Sequence, residues 1–392
     1  MGAPEGHAVT SSQLDRVRAA CQSEFGAPAV LVRSPGRVNL IGEHTDYNEG
    51  FVLPAAVEMA IALAFRPRDD RRILIRSLDL DRRFDIDMPD LAPSPEGWPN
   101  YPLGVVDALR REGRDAGGFE LVYGGDIPIG AGMSSSAALT CGVAFGLDAL
   151  FGLGVERIAM ARIAQSAEHN FAGVRCGLMD QMANLMGRRG QLLRLDCRDL
   201  SYRHVPFPDS ARIYVCDTRV QRTLAASGYN ERRGSCEAGV AKLRESAPEI
   251  ASLRDVTMEM LEAHREQLDP IVYRRCRYVI EENLRVEAAC GALARGDIQE
   301  FGASMKASHE GLARLYEVSC PELDLLVEAA AATPGVLGAR MMGAGFGGCT
   351  INVIEAGEER AFLASMERAY ARLGVEPAVW LCGIADGTER IS

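Results

Sequence analysis

The chain has 392 residues, 47% of them hydrophobic and 25% charged, which is the balance of a globular protein and excludes a disordered one. Its net charge of -11 excludes nucleic acid and anionic membrane as principal partners, since those select basic patches. The 11 cysteines form no C-x-x-C pair and no cluster with histidine, so neither a disulfide framework nor a zinc site is expected. No charged-then-apolar leader opens the chain, Met1-Gly2 is not followed by a hydroxyl residue at position six, and the longest apolar run, 52–65, is interrupted by Glu58. A cytoplasmic protein is expected, without nucleic-acid or membrane partners. The oligomeric state stays open, and a monomer fits the composition.

At roughly 100–200 residues per domain the length predicts two lobes, taken here as 1–205 and 206–392. The first opens with an amphipathic helix over 11–25 and a strand over 29–32, from which a loop beginning at Pro35 emerges. Strands follow at 51–53, 60–65 and 73–77, then a Pro/Gly-rich loop over 91–101 and a helix over 103–112. Next come a strand at 119–123, a glycine-rich connection and a helix over 134–151. A helix over 156–170, a loop at 172–177 and a short helix from about Met179 complete the first lobe, and strands at 192–195 and 212–216 lead into the second. The stretch 229–315 is mainly helical, with runs ending near Ser246 and spanning 272–291. A glycine-rich loop at 341–348, a strand at 349–354, a helix at 358–373 and a last strand at 378–383 end the chain. That last strand is free to return to the first lobe.

Gly130-Ala131-Gly132-Met133-Ser134-Ser135-Ser136, opening a helix, is an arrangement suited to phosphate. Glycines admit close backbone approach, N–H groups point outward, and the helix dipole favours an anion. The same run reads equally well as a glycine-rich helix cap. Lys242 and Lys306 are the only lysines, and neither follows a glycine, which excludes a P-loop. The protein-kinase arrangement, with its strand lysine and H-R-D loop, is absent as well. Gly343-Ala344-Gly345-Phe346-Gly347-Gly348 matches G-x-G-x-x-G but precedes a strand, so it reads as a ligand-facing glycine loop and not a dinucleotide fold.

Four separated segments carry a resemblance: Pro35-Gly36-Arg37-Val38-Asn39-Leu40-Ile41-Gly42-Glu43-His44-Thr45-Asp46-Tyr47-Asn48, the serine run, Ala167-Glu168-His169-Asn170 with Cys176-Gly177-Leu178-Met179-Asp180-Gln181, and Met342 through Thr350. In this order they resemble the small-molecule kinase family that includes galactokinase, homoserine kinase, mevalonate kinase and phosphomevalonate kinase, and within it the galactokinases. The resemblance implies an α+β, two-lobed small-molecule kinase fold with the active site in the cleft between lobes, using ATP and Mg2+ to phosphorylate galactose at its anomeric hydroxyl.

It further implies a role for each residue. Asp180 would be the base and Arg37 its partner, which keeps the carboxylate ionised and offsets charge on the phosphoryl group. Glu43, His44, Thr45, Asp46, Gly177 and Tyr229 would form the sugar site, because a polyol needs several convergent donors and acceptors. Residues Gly130, Ala131, Gly132, Met133, Ser134, Ser135 and Ser136 would wrap the phosphates, with Ser136 and Glu168 holding Mg2+. Ser77 and Trp98 are candidates on the adenosine side. A Glu43–His44 ion pair, an Asp180 serving only the dipole of its helix, an exposed Glu168 and a merely packed Trp98 are the competing structural readings.

Met342 and Ala344 stand where relatives often carry Thr and Gly, and Gly228 where an acidic residue is common, which bears on sugar specificity. Kinases of the same fold acting on N-acetylgalactosamine, L-arabinose or a uronic acid, and a non-catalytic galactose sensor, remain alternatives. The uninterrupted serine run together with Asp180 and Arg37 speaks for catalysis.

Overall fold

The computed structural model describes residues 8–128, 132–174, 176–220 and 225–391. Among them are eleven α-helices and three sheets, the mixed α/β architecture expected. The largest sheet has six strands in the order β13-β1-β3-β6-β4-β5. These are β1 (Val30–Asn39), β3 (Pro54–Pro67), β4 (Arg72–Ser77), β5 (Arg82–Asp87), β6 (Phe119–Gly125) and β13 (Glu389–Ile391). All neighbours are antiparallel except β4 and β6. Helix α1 (Ala8–Glu24) covers one face, packing Val17 and Cys21 on Leu31, Ala62, Ala64 and Val122. The other face is covered by α2 (Asn100–Arg111), α3 (Ser135–Phe151), α4 (Arg157–Ala167) and α5 (Met179–Met186), whose apolar sides join Val32, Leu63, Phe65 and Leu121 in the principal core.

A three-stranded sheet joins β2 (Phe51–Val52), β7 (Gln191–Asp196) and β8 (Tyr202–Pro206). The third sheet runs β10-β11-β9-β12, formed by β9 (Ala211–Asp217), β10 (Val336–Met342), β11 (Cys349–Glu355) and β12 (Val379–Leu381). Around it lie α6 (Ala225–Leu243), α7 (Met258–Ala263), α8 (Pro270–Ala294), α9 (Ile298–Arg314), α10 (Pro321–Ala331) and α11 (Glu359–Leu373). The 25-residue α8 starts where Asp269 accepts from the backbone N–H groups of Ile271 and Val272, with Pro270 at the position that needs no N–H.

Several elements differ from the sequence expectation. Residues 35–39 are not on a loop: β1 runs through them, and a bulge between Pro35 and Arg37 reconciles proline and glycine with the strand. Strands β5 and β8 carried no clear signal, since both alternate mostly charged or polar residues. Helix α4 ends at Ala167, and 168–172 form a wider π-helical turn. The glycine-rich loop begins only after Met342, because 336–342 is strand β10. The strand expected at 378–383 pairs with β9, while the later β13 pairs with β1.

Candidate active site

A cavity of about 930 Å³ is lined from both halves of the chain by Arg37, Glu43, His44, Asp46, Ser134–Ser136, Gly177, Asp180, Tyr229, Arg233, Gly343 and Ala344, among others. The β1 bulge presents Arg37 to it, and the first turn of α5 presents Asp180. The two meet in a forked pair: Arg37 Nε donates to Asp180 Oδ1 at 2.7 Å and Nη2 to Oδ2 at 3.0 Å. Ser134 Oγ donates to the same carboxylate, and Arg37 Nη1 donates to the carbonyl of Gly132. Burial opposes the Arg37 charge, but the charge and hydrogen bonds of Asp180 outweigh it and hold the guanidinium above its ordinary range. Asp180 thus serves more than its helix dipole, since it is locked between an arginine and the serine run.

The turn after β1 supplies the opposite wall. Glu43 pairs with Arg340 and not with His44: its Oε1 accepts from Arg340 Nη2 at 3.2 Å and from the Gly343 N–H at 2.8 Å. Arg340 is wholly buried, and also donates to the carbonyls of Leu40, Met341 and Asn39. His44 adopts a left-handed backbone with φ 62°. Its Nδ1 lies 2.8 Å from Tyr47 Oη, while Nε2 is buried without a hydrogen-bond partner. Burial pushes the imidazole pKa down to about 3, so the ring is neutral. Asp46, in the short helical turn Asp46–Asn48, is pushed up to about 7 by burial and then by the charge of Asp180. Gly177 lies directly against Asp46, and Tyr229 on α6 places its ring 5.7 Å from that of His44.

Thr45 does not join this wall. Its hydroxyl is fully buried and directed at the carbonyls of Gly42, 2.8 Å away, and Phe51, 2.6 Å away, so it closes the turn that carries its neighbours.

On the phosphate side Gly132, Met133, Ser134, Ser135 and Ser136 line the cavity, whereas Gly130 and Ala131 lie outside the described residues. Glu168 is buried behind them, and its Oε1 accepts from Gln181 Nε2 at 2.9 Å and Thr140 Oγ1 at 3.4 Å. Burial, and secondarily Asp180, raise its pKa to about 7, while a hydrogen bond from Ser136 works the other way. The Glu168 carboxylate beside the Ser136 hydroxyl, with Asp180 close by, offers hard oxygen donors of the kind that fit a divalent cation. Ser77 and Trp98 are not on the cavity wall. Ser77 is buried opposite Tyr123, and the Trp98 ring lies 6.5 Å from that of Tyr123 and 6.3 Å from that of Phe84, so the two share Tyr123 as a neighbour.

Sequence reasoning passed over Arg233 and Glu237, although their spacing from Tyr229, four and eight residues along α6, puts all three on one helical face. It also passed over Arg340, the one charged residue in the otherwise apolar β10, and Cys176 beside Gly177. Of the departures noted, Ala344 faces the cavity, Met342 is buried in β10, and Gly228 abuts Phe346, whose ring lies 2.5 Å from where a Cβ would be.

The chain is similar to known proteins along most of its length. A galactokinase galactose-binding signature matches residues 20–67, a GHMP kinase N-terminal domain matches 100–188, and a GHMP kinase C-terminal domain matches 289–372. The chain is 43% identical over 372 residues to a galactokinase of Roseiflexus sp., covering 94% of this chain and 95% of that one. It is 42% identical over 377 residues to a galactokinase of Chloroflexus aggregans, covering 95% and 96%. Its fold is similar to that of Lactococcus lactis galactokinase complexed with galactose, with TM-score 0.92, 33% identity, and coverage of 96% of this chain and 100% of that one.

Proposed function

The chain belongs to the galactokinase family of GHMP kinases, and from that premise we propose that it transfers the γ-phosphoryl group of ATP to the anomeric hydroxyl of α-D-galactose, giving α-D-galactose 1-phosphate and ADP. The observation that carries the reading is the forked Arg37–Asp180 pair, tied to the serine run on one side and facing Glu43, His44 and Asp46 across the same cavity.

Asp180 accepts the proton of the attacking hydroxyl, the step that needs a carboxylate within hydrogen-bond reach. Arg37 holds that carboxylate in direction through the fork, and its charge favours the transition state in which negative charge builds on the phosphoryl oxygens. Ser134, Ser135 and Ser136 at the start of α3 offer hydroxyl and backbone donors to the phosphates. Ser136 and Glu168 would hold Mg2+, which supplies charge neutralisation when bound. Glu43, His44, Asp46 and Tyr229 bind the sugar hydroxyls, and the mixture of acceptors and a neutral imidazole suits a polyol. The division into lobes at about residue 205 belongs to the same reading, with the serine run in the first lobe and the late glycine loop in the second.

The test is a panel of sugars offered to the purified protein with ATP and Mg2+. Turnover should be strongest with galactose; robust turnover of N-acetylgalactosamine, L-arabinose or a uronic acid with none of galactose overturns the assignment.

A further inference from the structure

A neutral imidazole carries one donor and one acceptor, so what His44 offers a ligand depends on which nitrogen holds the proton. Nδ1 opens a buried chain of hydrogen-bonding groups. Nδ1 is 2.8 Å from Tyr47 Oη, which is 2.7 Å from Tyr316 Oη, which is 3.3 Å from Cys236 Sγ. Tyr316 and Cys236 are almost wholly buried, so water does not share the bond between them. The ring of His44 is also wedged in place, with centroids 4.9 Å from Tyr316 and 5.7 Å from Tyr229. Tyr316 itself is pinned by Arg232 of α6, whose Nε donates to its carbonyl at 2.7 Å.

The chain has two self-consistent polarities. In one, His44 Nδ1–H donates to Tyr47, Tyr47 to Tyr316, and Tyr316 to the sulfur. In the other, Tyr316 donates to Tyr47, Tyr47 donates to Nδ1, and the proton of His44 sits on Nε2. Phenol O–H is a more acidic donor than imidazole N–H, and imidazole nitrogen a better acceptor than phenol oxygen, so the bond between Tyr47 and His44 favours the second. The other end agrees, because the first polarity spends a phenol proton on thiol sulfur, a weak acceptor. On the cavity side, Glu43 and Asp46 supply acceptors, and a donor complements them.

We propose that Tyr316 is a positioning residue of the sugar site: acting through Tyr47, it fixes His44 as the tautomer with its proton on Nε2, so that the ring donates a hydrogen bond to a sugar hydroxyl. The inference rests on the sugar-kinase reading for its ligand, but not for its tautomer. An analogue lacking the accepting hydroxyl leaves a buried N–H unpaired and is discriminated against.

The test uses the full chain labelled with 15N-histidine, with the His44 signals identified by their loss in His44→Gln. Long-range 1H–15N spectra without sugar should show a pyridine-type Nδ1 and a pyrrole-type Nε2. In Tyr316→Phe both signals should move toward the averaged position of an unfixed ring. The KM for galactose should rise roughly three- to tenfold, with kcat within about twofold, as for the loss of one uncharged hydrogen bond. Should that variant fail to fold, Tyr47→Phe is read in the same way. A pyrrole-type Nδ1 in the unaltered protein, or unmoved His44 signals in the variant, overturns the proposal. Failure to phosphorylate galactose by a protein showing the Nε2–H tautomer would count against the proposed function and leave the tautomer assignment standing.

Discussion

A Cβ at position 177 would sit 2.0 Å from Oδ2 of Asp46, so the loop before α5 and the turn after β1 fit together only because residue 177 is glycine. The obstructing atom ends a side chain and is not backbone, so an added methyl displaces the carboxylate and spares the fold. Gly177→Ala is expected to raise the KM for sugar by roughly tenfold or more, with little change in the thermal midpoint. An unchanged KM would mean that the carboxylate has no fixed duty there.

Asp180→Asn keeps the shape at the end of the Arg37 fork and removes the proton acceptor. Because a general base contributes roughly 10²- to 10⁴-fold, kcat should fall by that factor while calorimetric sugar binding persists. Near-normal turnover would remove Asp180 from the chemistry.

Glu168 accepts from Gln181 and Thr140 and is linked to Ser136, so Glu168→Gln retains volume and loses the charge a cation needs. The Mg2+ concentration for half-maximal rate should rise several-fold; a superimposable Mg2+ titration would exclude it as a ligand.

The chemistry was legible wherever it lies in contiguous residues of unusual type. Arg37 through Asp46 and the serine run combine glycines with polar groups that no ordinary strand or helix needs. What stayed hidden depends on partners distant in sequence. Nothing near Glu43 announces Arg340, almost 300 residues later, and nothing in Thr45 tells a ligand contact from a hydroxyl spent on Phe51 and Gly42. The bulge at Pro35 was read as a loop because proline and glycine interrupt strands far more often than they bend them. The edge strand β5, Arg-Arg-Phe-Asp-Ile-Asp, exposes most of its side chains and therefore lacks the apolar run that marks a strand.

Arg340 links that hidden contact to stability. Its side chain is inaccessible to solvent and its partner Glu43 nearly so. Removing one member of such a pair strands the other charge, at about 3–5 kcal/mol. Arg340→Met should therefore lower the unfolding free energy by about that amount, and the double variant with Glu43→Gln should recover part of it. Additive losses in the double variant would show that the two side chains act independently.

The titration of the empty site gives a last expectation. A carboxyl whose folded pKa is raised holds its proton more tightly folded than unfolded, so its stabilising contribution is whole at low pH and lost as pH passes the folded value. For Asp46 that window runs from 3.8 up to about 7, and Glu168, raised from 4.5 to about 7, acts in the same sense. His44 works oppositely: depressed from 6.5 to about 3, it stays neutral in the folded protein while the unfolded chain takes up a proton, so its contribution is lost as pH falls through that range. Ligand-free protein should therefore lose thermal stability on going from about pH 6 to about pH 8. Asp46→Asn removes one titrating group, so its thermal midpoint should fall less steeply over that interval than that of the unaltered chain. Parallel curves would mean that Asp46 is already ionised at the lower pH, and that neither burial nor Asp180 holds its proton in place.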